Sequence, residues 1–444
     1  MSDSGHPPIP FIGAFESIYQ PAHDRDVAET TEHDLRWRDD IALMTACHVR
    51  QLRYPLRWHR IEPEPGRFVW DHTDEVLGFM QDQGLSPIVD LLHHTSYPLW
   101  LGDLASPVFE PAFLRFVEAV ANRYPWLPGY TVCNEPFTTL FLCGQQGIWP
   151  PYWRDLRGFV RLALNVFPAV TRASRALHDL LPAAEHVHVE ASERHTWCSA
   201  EGEEFARMAN DRRFLLTDLL LGRSIAPDRP FVQDVLAAGG EDLLTVEAGH
   251  IDVLGLDYYA HNQWEWSAAG EGTTMASAPG SLAELFTEYW ERYRIPCILG
   301  ETNIRGFASD RATWLKWTLE QCELARDAGV DLRGYCWFPF IDSADWGSLL
   351  AECVGAIDPV GVFWLDENLD RRPSSMSVSY ALAALGTPAG NLPAYRLRTP
   401  VAQSLQGWLP HMSHWHWRNP PVNEMCSHPA DPDDLIELRS PHVA

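Results

Sequence analysis

The chain has 444 residues, 46% of them hydrophobic, which is enough for a large core and excludes a globally disordered protein. Its 60 acidic residues against 34 basic ones leave a net charge of −26, which argues against nucleic acid or an anionic membrane surface as partner. Nine cysteines show no paired spacing, the N-terminus has neither a basic start nor an apolar run, and no stretch is long and apolar enough to span a bilayer. These features point to a cytoplasmic protein with reduced thiols.

In chain order, residues 1–8 read as a loose N-terminus. Ile9 to Ala14 reads as a first strand running into Phe15-Glu16-Ser17-Ile18-Tyr19-Gln20. Val49 to Leu52 is a second strand ending at Arg53, and Leu85 to Leu92 a third ending at His93-His94. Between them, Asp71 or Thr73 offers an N-cap for a helix running to Gln83, which Gly84 stops. A helix over Pro111 to Arg123 leads to the fourth strand, Tyr130-Thr131-Val132-Cys133, which ends abruptly in Asn134-Glu135-Pro136. Asn and Glu are costly to bury without partners, and Pro136 cannot continue a ladder.

The stretch from Phe137 to Arg154, rich in Gly, Pro and aromatic residues, reads as a loop. A helical period from Gly158 to Leu181 is interrupted at Pro168, and His186 to Ala191 is a fifth strand. Phe205 to Leu221 is the clearest amphipathic piece of a polar, helical stretch. Asp252 to Leu256 is a sixth strand ending in Asp257-Tyr258-Tyr259. Helices over Ser281 to Tyr293 and Asp310 to Ala328 flank a seventh strand that ends in Gly300-Glu301-Thr302-Asn303. Leu332 to Trp337 is the eighth, and a last helix lies near Met376 to Leu385.

Strand ends near Glu16, Arg53, His93, Glu135, Ala191, Asp257, Glu301 and Trp337, alternating with helices, predict one (β/α)8 barrel over residues 9–389. Residues 390–444, rich in Pro, Trp and His, read as an extension laid over the barrel, not a second domain. No Gly-rich phosphate loop follows any strand, so no nucleotide cofactor is expected. Within the extension, His411, His414 and His416 alternate with Trp415 and Trp417 but lack acidic or Cys partners, so no metal is expected there.

Two glutamates, Glu135 and Glu301, each terminate an apolar strand, 166 positions apart (301 − 135). Facing each other across one barrel mouth, they form the pair that retaining glycoside hydrolysis uses, with carboxyl groups ~5–5.5 Å apart. Polar and aromatic residues gather at the other strand ends, which suits a sugar's hydroxyls and its apolar face. Singly, each has a plain reading: a strand His is usually a satisfied core residue, and Trp337 could be packing alone. Glu190 and Glu193, at the end of the fifth strand, fit structural or substrate-loop roles.

The chain also resembles the family 1 glycoside hydrolases, retaining β-glycosidases built on such a barrel. Phe15 to Gln20 resembles the family's Ala-Ala-Tyr-Gln, and Arg53 with Trp58-His59-Arg60-Ile61 its second-strand motif. Val89 to Pro98 is similar to its Thr-Leu-His-Trp-Asp-Leu-Pro, and Asn134-Glu135-Pro136 to its acid/base motif. Gly255 to Tyr259 resembles Gly-Ile-Asn-Tyr-Tyr, Trp337 to Trp346 resembles Trp-Ser-Leu-Leu-Asp-Asn-Phe-Glu-Trp, and Gly361 to Tyr380 resembles the closing turn and helix. The resemblance spans residues 9–386.

It implies that Glu301 is the nucleophile and Glu135 the acid and then the base. It implies that Arg53 sits beside Glu301 and keeps it ionised, that Tyr259 donates to Glu301, and that Asn134 binds the 2-hydroxyl. Gln20, His93, Asp345 and Trp346 would hold the other hydroxyls, and Trp337 would be the floor under the ring. The expected substrate is a small or oligomeric β-glycoside, cut from its end without metal or cofactor; association between copies stays open. The alternatives are a different glycone, transfer to another sugar, or a barrel that binds sugars without cutting them. Three departures bear on the glycone: Gly300 where the family has Thr, His93-His94 for its His-Trp, and Asp345 for its longer Glu. No Lys follows Trp346, which disfavours the 6-phospho-sugar branch.

Overall fold

The computed structural model describes residues 6–266, the backbone of 272–274, and residues 281–395. Eight strands form a closed, all-parallel barrel: β1 Phe11–Ala14, β2 Gln51–Pro55, β3 Ser86–Asp90, β4 Gly129–Thr131, β5 Glu185–Ala191, β6 Val253–Asp257, β7 Cys297–Glu301 and β8 Leu332–Cys336. Each pairs with its sequence neighbour, and β1 closes on both β2 and β8.

The helices used below are α1 His33–Ala46, α2 Asp71–Asp82, α3 Phe109–Arg123, α4 Pro136–Gly144, α5 Leu156–Leu180, α6 Ala200–Arg212, α7 Leu215–Leu220, α8 Pro230–Ala237, α9 Leu282–Tyr293, α10 Ala308–Asp327 and α11 Ser375–Ala384. Two apolar layers result, as alternating side chains on barrel strands require. The inner one fills the barrel with Ile12, Ile88, Val187, Val189, Val253 and Ile298. The outer one packs strands against helices, for example Leu52, Val89 and Leu299 with Phe113, Phe116 and Leu315.

Four local expectations change. The stretch after Glu135 is not a loop: α4 occupies Pro136–Gly144, with Pro136 at its first position. Nearly every α4 residue is buried, so it lacks the amphipathic stripe by which a helix is read. Its C-terminus docks on α5 through glycines: a Cβ on Gly158 would stand 2.3 Å from the Gly144 carbonyl oxygen. Helix α5 runs through Pro168 without interruption, carried by buried side chains on both sides of it. The amphipathic run after Phe205 breaks at Arg213-Phe214 into α6 and α7. Helix α2 starts at Asp71 with Trp70 as an N-cap that makes no side-chain bond.

The start of the predicted extension is fastened to the barrel. Lys316 on α10, the sole lysine in the sequence, donates to the carbonyls of Ala389, Gly390 and Leu392 at 2.7, 3.1 and 3.2 Å. Tyr395 and Thr313 exchange two hydrogen bonds at 2.7 and 3.0 Å. The rest of the extension, including its His and Trp run, lies outside the described residues. No helix among the described residues is long and apolar enough to cross a membrane.

Candidate active site

The carboxyl ends of the strands open into one pocket, and Glu135 and Glu301 both line it. Glu301 ends β7 as its last residue. Glu135 lies four residues beyond β4, in the left-handed region at φ 42°, where it caps α4. A non-glycine residue held there stores roughly 1–3 kcal/mol of strain, which the surrounding fold must impose. Here the Glu135 N–H donates to the Val189 carbonyl at 3.1 Å and the Glu135 carbonyl accepts from Thr139 N at 2.8 Å.

Arg53, on β2, organises the floor. Its guanidinium, 1% exposed, donates to Glu301 Oε1 at 2.7 Å, to Asp90 Oδ2 at 2.9 Å, to Asn134 Oδ1 at 2.6 Å and to the Gly300 carbonyl at 3.1 Å. Burial opposes its charge, but Asp90, Glu301 and Asp257 outweigh that and hold its pKa well above the usual value. Tyr259 donates its hydroxyl to Glu301 Oε2 at 2.6 Å. Both oxygens of Glu301 are therefore held, one by a donor on β2 and the other by one just beyond β6.

Asn134 is oriented by the same network. Its carbonyl oxygen accepts from Arg53, so its amide N–H donates to His94 Nε2 at 3.1 Å. Thr139 donates to the Asn134 carbonyl at 3.2 Å and accepts from His94 Nδ1 at 2.8 Å. Burial, then the charges of His93 and Arg53, push His94 well below the ordinary histidine pKa, which fits this neutral tautomer. His93 goes the other way: Glu16 and Asp90 outweigh burial and raise it to about 10.

A third carboxylate joins the two glutamates. Asp257, at the end of β6, is fully buried, and one oxygen each of Glu135, Asp257 and Glu301 lies within 4.8 Å of the others. Among the described residues no donor reaches either Asp257 oxygen, so a hydrogen bond between Asp257 and Glu135 requires one of them to be protonated. Gly300 makes room: a Cβ there would stand 2.5 Å from Asp257 Oδ1. Burial first, then the charge of Glu301, raises the pKa of both Glu135 and Asp257 well above the ordinary carboxyl range. Among the described residues this trio has metal-ligand spacing; a hard cation bound there would occupy the same oxygens that a sugar reaction uses.

A proton shared between Glu135 and Asp257 has a kinetic signature that can be tested. Glu135 and Asp257 give up their protons in two steps, the second against a like charge, so activity that needs a protonated Glu135 declines over a broad alkaline limb. A protonated Asp257 donating to Glu135 lowers the Glu135 pKa against burial and Glu301, so Asp257→Ala is expected to convert that limb to a single ionisation and move it to higher pH. Profiles of kcat/KM against pH for both proteins check this; an unmoved limb would show that Asp257 shares no proton.

The other expected site residues divide. Trp346 lines the pocket, whereas Trp337, His93, Gln20 and Asp345 do not. Trp337 points into the outer core, and its indole donates to the Val360 carbonyl at 2.8 Å. One residue along a strand reverses the face, and Phe338 takes the place under the pocket, packed on His93 and Trp346. Asp345 is spent on its own loop, accepting backbone N–H groups from Val354, Gly355 and Ala356 at 2.9–3.2 Å. Gln20 is buried, and among the described residues its amide has no partner. Glu16, four positions earlier, reaches the wall instead, 3.4 Å from His93 Nε2.

Glu190 and Glu193 also line the pocket. Glu190 accepts from Phe137 N at 2.7 Å and Thr138 N at 3.4 Å at the start of α4, yet burial still raises it to about 7. Sequence reading missed Glu16, Asp257, Phe338 and Arg212 as site residues. Of these only Asp257 carried a visible signal, an acid closing a strand beside the Tyr-Tyr pair.

A closed parallel barrel with two buried, facing carboxylates at its carboxyl-end mouth defines a glycoside-cleaving barrel by its chemistry. The family model for glycosyl hydrolase family 1 matches residues 14–299, and the chain belongs to that family. Glu135 falls inside the matched stretch; Glu301 falls just beyond it. Among characterised relatives, Beta-galactosidase of Saccharolobus solfataricus is 22% identical over 364 residues, 71% of this chain and 70% of that protein. Beta-glucosidase A of Thermotoga maritima is 21% identical over 379 residues, 77% and 83% of the two chains. The solved Thermotoga maritima beta-glucosidase in complex with a substituted glucoimidazole superposes with a TM-score of 0.73 at 18% identity, covering 86% of this chain and 98% of its own. The protein is a β-glycosidase, a hydrolase of O-glycosyl bonds.

Proposed function

We propose that the enzyme removes a terminal β-linked sugar with retention, by two displacements. Glu301 attacks the anomeric carbon while Glu135 protonates the departing oxygen; Glu135 then takes a proton from the water that releases the sugar. The observation that carries this is the separation: an oxygen of Glu135 lies within 4.8 Å of one of Glu301, which supports the ~5–5.5 Å spacing of retaining pairs over the ~6.5–9.5 Å of inverting ones. The partners of Glu301 support its role, since Arg53 and Tyr259 hold both its oxygens along fixed directions. The raised pKa of Glu135 supports the acid role, since that carboxyl must keep its proton at working pH.

We assign the 2-hydroxyl to the second N–H of the Asn134 amide, the first being engaged by His94, and the sugar's apolar face to Phe338 and Trp346, which line the pocket. We assign the action to the end of a small or oligomeric β-glycoside. We place that action in the cytoplasm, because among the described residues no two cysteines, exposed Cys198 included, form a disulfide. Aryl β-glycosides of several sugars, with the product's anomeric configuration read by NMR at early times, test the reading. β-Anomer is expected first; α-anomer would mean inversion, and no aryl release from any sugar would mean a binder. Phe338→Ala is expected to lower kcat/KM about tenfold or more across the panel by loosening the bound ring. Equal values would take the floor away from Phe338.

A further inference from the structure

Past Glu135 the pocket follows α4 to Arg212, the last residue of α6. Arg212 is 8% exposed, lines the pocket, and holds its guanidinium 4.9 Å from the centroid of the Phe141 ring. Among the described residues no hydrogen bond or ion pair engages it. The adjacent pocket arginine is fully used: Arg213 donates to the Asn210 carbonyl at 2.9 Å, to the Glu193 carbonyl and to the Glu288 carboxylate. Glu193 carries the nearest negative charge, but its own oxygens are taken by Trp264 Nε1 and His195 Nε2, each at 3.2 Å. Burial presses the Arg212 pKa down, with Glu193 opposing. A guanidinium keeps its charge regardless, so its unused N–H donors face the pocket, ready for an acceptor brought by a ligand.

The position says which part of a ligand that is. Glu135 protonates the oxygen of the leaving group and α4 begins at the next residue, so a group over Phe141 faces the leaving group. The walls here are apolar, from Phe137, Phe141 and Leu142, and His261, held near 4 by burial, adds no charge. We infer that this end of the pocket is a subsite for an aromatic leaving group that carries a carboxylate, taken by Arg212. The inference rests on the assignment of Glu135 as acid. A second sugar would offer hydroxyls to Arg212 but add no charge to the partial compensation from Glu193, and would set polar faces against Phe137 and Leu142.

The full-length enzyme tests this with aryl β-glycosides of whichever sugar it cleaves. Neutral aryl groups of graded acidity define a line of kcat/KM against leaving-group pKa. The 3- and 4-carboxyphenyl glycosides are expected about tenfold or more above that line, the scale of a charge-assisted contact, and to fall towards it as NaCl is raised. In Arg212→Gln they are expected on that variant's own line, and in Arg212→Lys partway back. Carboxyphenyl points on the wild-type line, or equally high above it in Arg212→Gln, would overturn the subsite while leaving the hydrolase reading intact. Should the variants fail to fold, 3- and 4-hydroxybenzoate must still inhibit the wild type about tenfold more tightly than the matching hydroxybenzamides; equal inhibition overturns the proposal.

Discussion

Glu301→Gln is expected to lower kcat on the order of 10⁴–10⁶-fold for every substrate, because an amide cannot form the glycosyl-enzyme. Glu135→Gln is expected to behave differently. An activated aryl group departs without a proton, so the first step survives, while a poor leaving group stalls by about 10²–10⁴-fold. Release of the sugar still needs a base, so the aryl substrate gives a burst of product followed by slow turnover. Azide, small and needing no base, is expected to raise that slow rate. Rapid-mixing measurements on both variants decide the matter: a burst in Glu301→Gln, or identical behaviour of the two, would reverse or remove the assignments.

Arg53→Met is expected to combine a large loss of stability with a large loss of activity. The substitution leaves Asp90 and Glu301 buried without their shared cation and removes the donor that aims Asn134. Breaking a buried pair by deleting one partner costs about 3–5 kcal/mol. The pH dependence carries the sign. In the wild type, Arg53 and His93 outweigh burial and lower the pKa of Asp90. Its contribution is therefore complete above the ordinary Asp value of about 3.9 and is lost as pH falls below it. Without Arg53, burial weighs on Asp90 with His93 as its remaining opposing charge, that carboxyl gains by protonation, and the variant is expected to become more stable as pH falls from 7 towards 5. Urea midpoints at several pH values read this directly; a wild-type-like trend would show that Arg53 is not the compensating charge. Arg53→Lys is expected to recover only part, since a point charge cannot serve two carboxylates and an amide at once.

The barrel and its two glutamates were legible because β4 and β7 are short apolar runs cut off by residues that cannot stay in a core. The chemistry is local there, so the sequence displays it. Helix α4 was hidden because its faces are apolar all round, and aromatics with a nearby glycine look like a loop. The floor went astray by one position: Trp337 and Phe338 are both aromatic, and only strand phase, which a sequence does not fix to a single residue, tells inside from outside. Gln20 and Asp345 matched motifs, yet backbone geometry that no motif records turns one away from the pocket and engages the other in its loop. Arg212 comes from the end of a helix beyond the fifth strand, so only the folded chain brings it near Glu135.

The fate of Asp345 bears on which sugars the enzyme can tell apart. Its carboxylate is saturated by three amide groups of the chain, and the wall close to it is completed by Trp346, Leu349 and Leu350. Hydrocarbon cannot question the orientation of a hydroxyl; it registers only bulk. A ring differing from another by one inverted or missing hydroxyl on that side meets nearly the same surface. Epimers and deoxy sugars should thus compete on close to equal terms, and under the proposed function recognition of the cleaved sugar falls to Asn134, Glu16 and the reacting carboxylates.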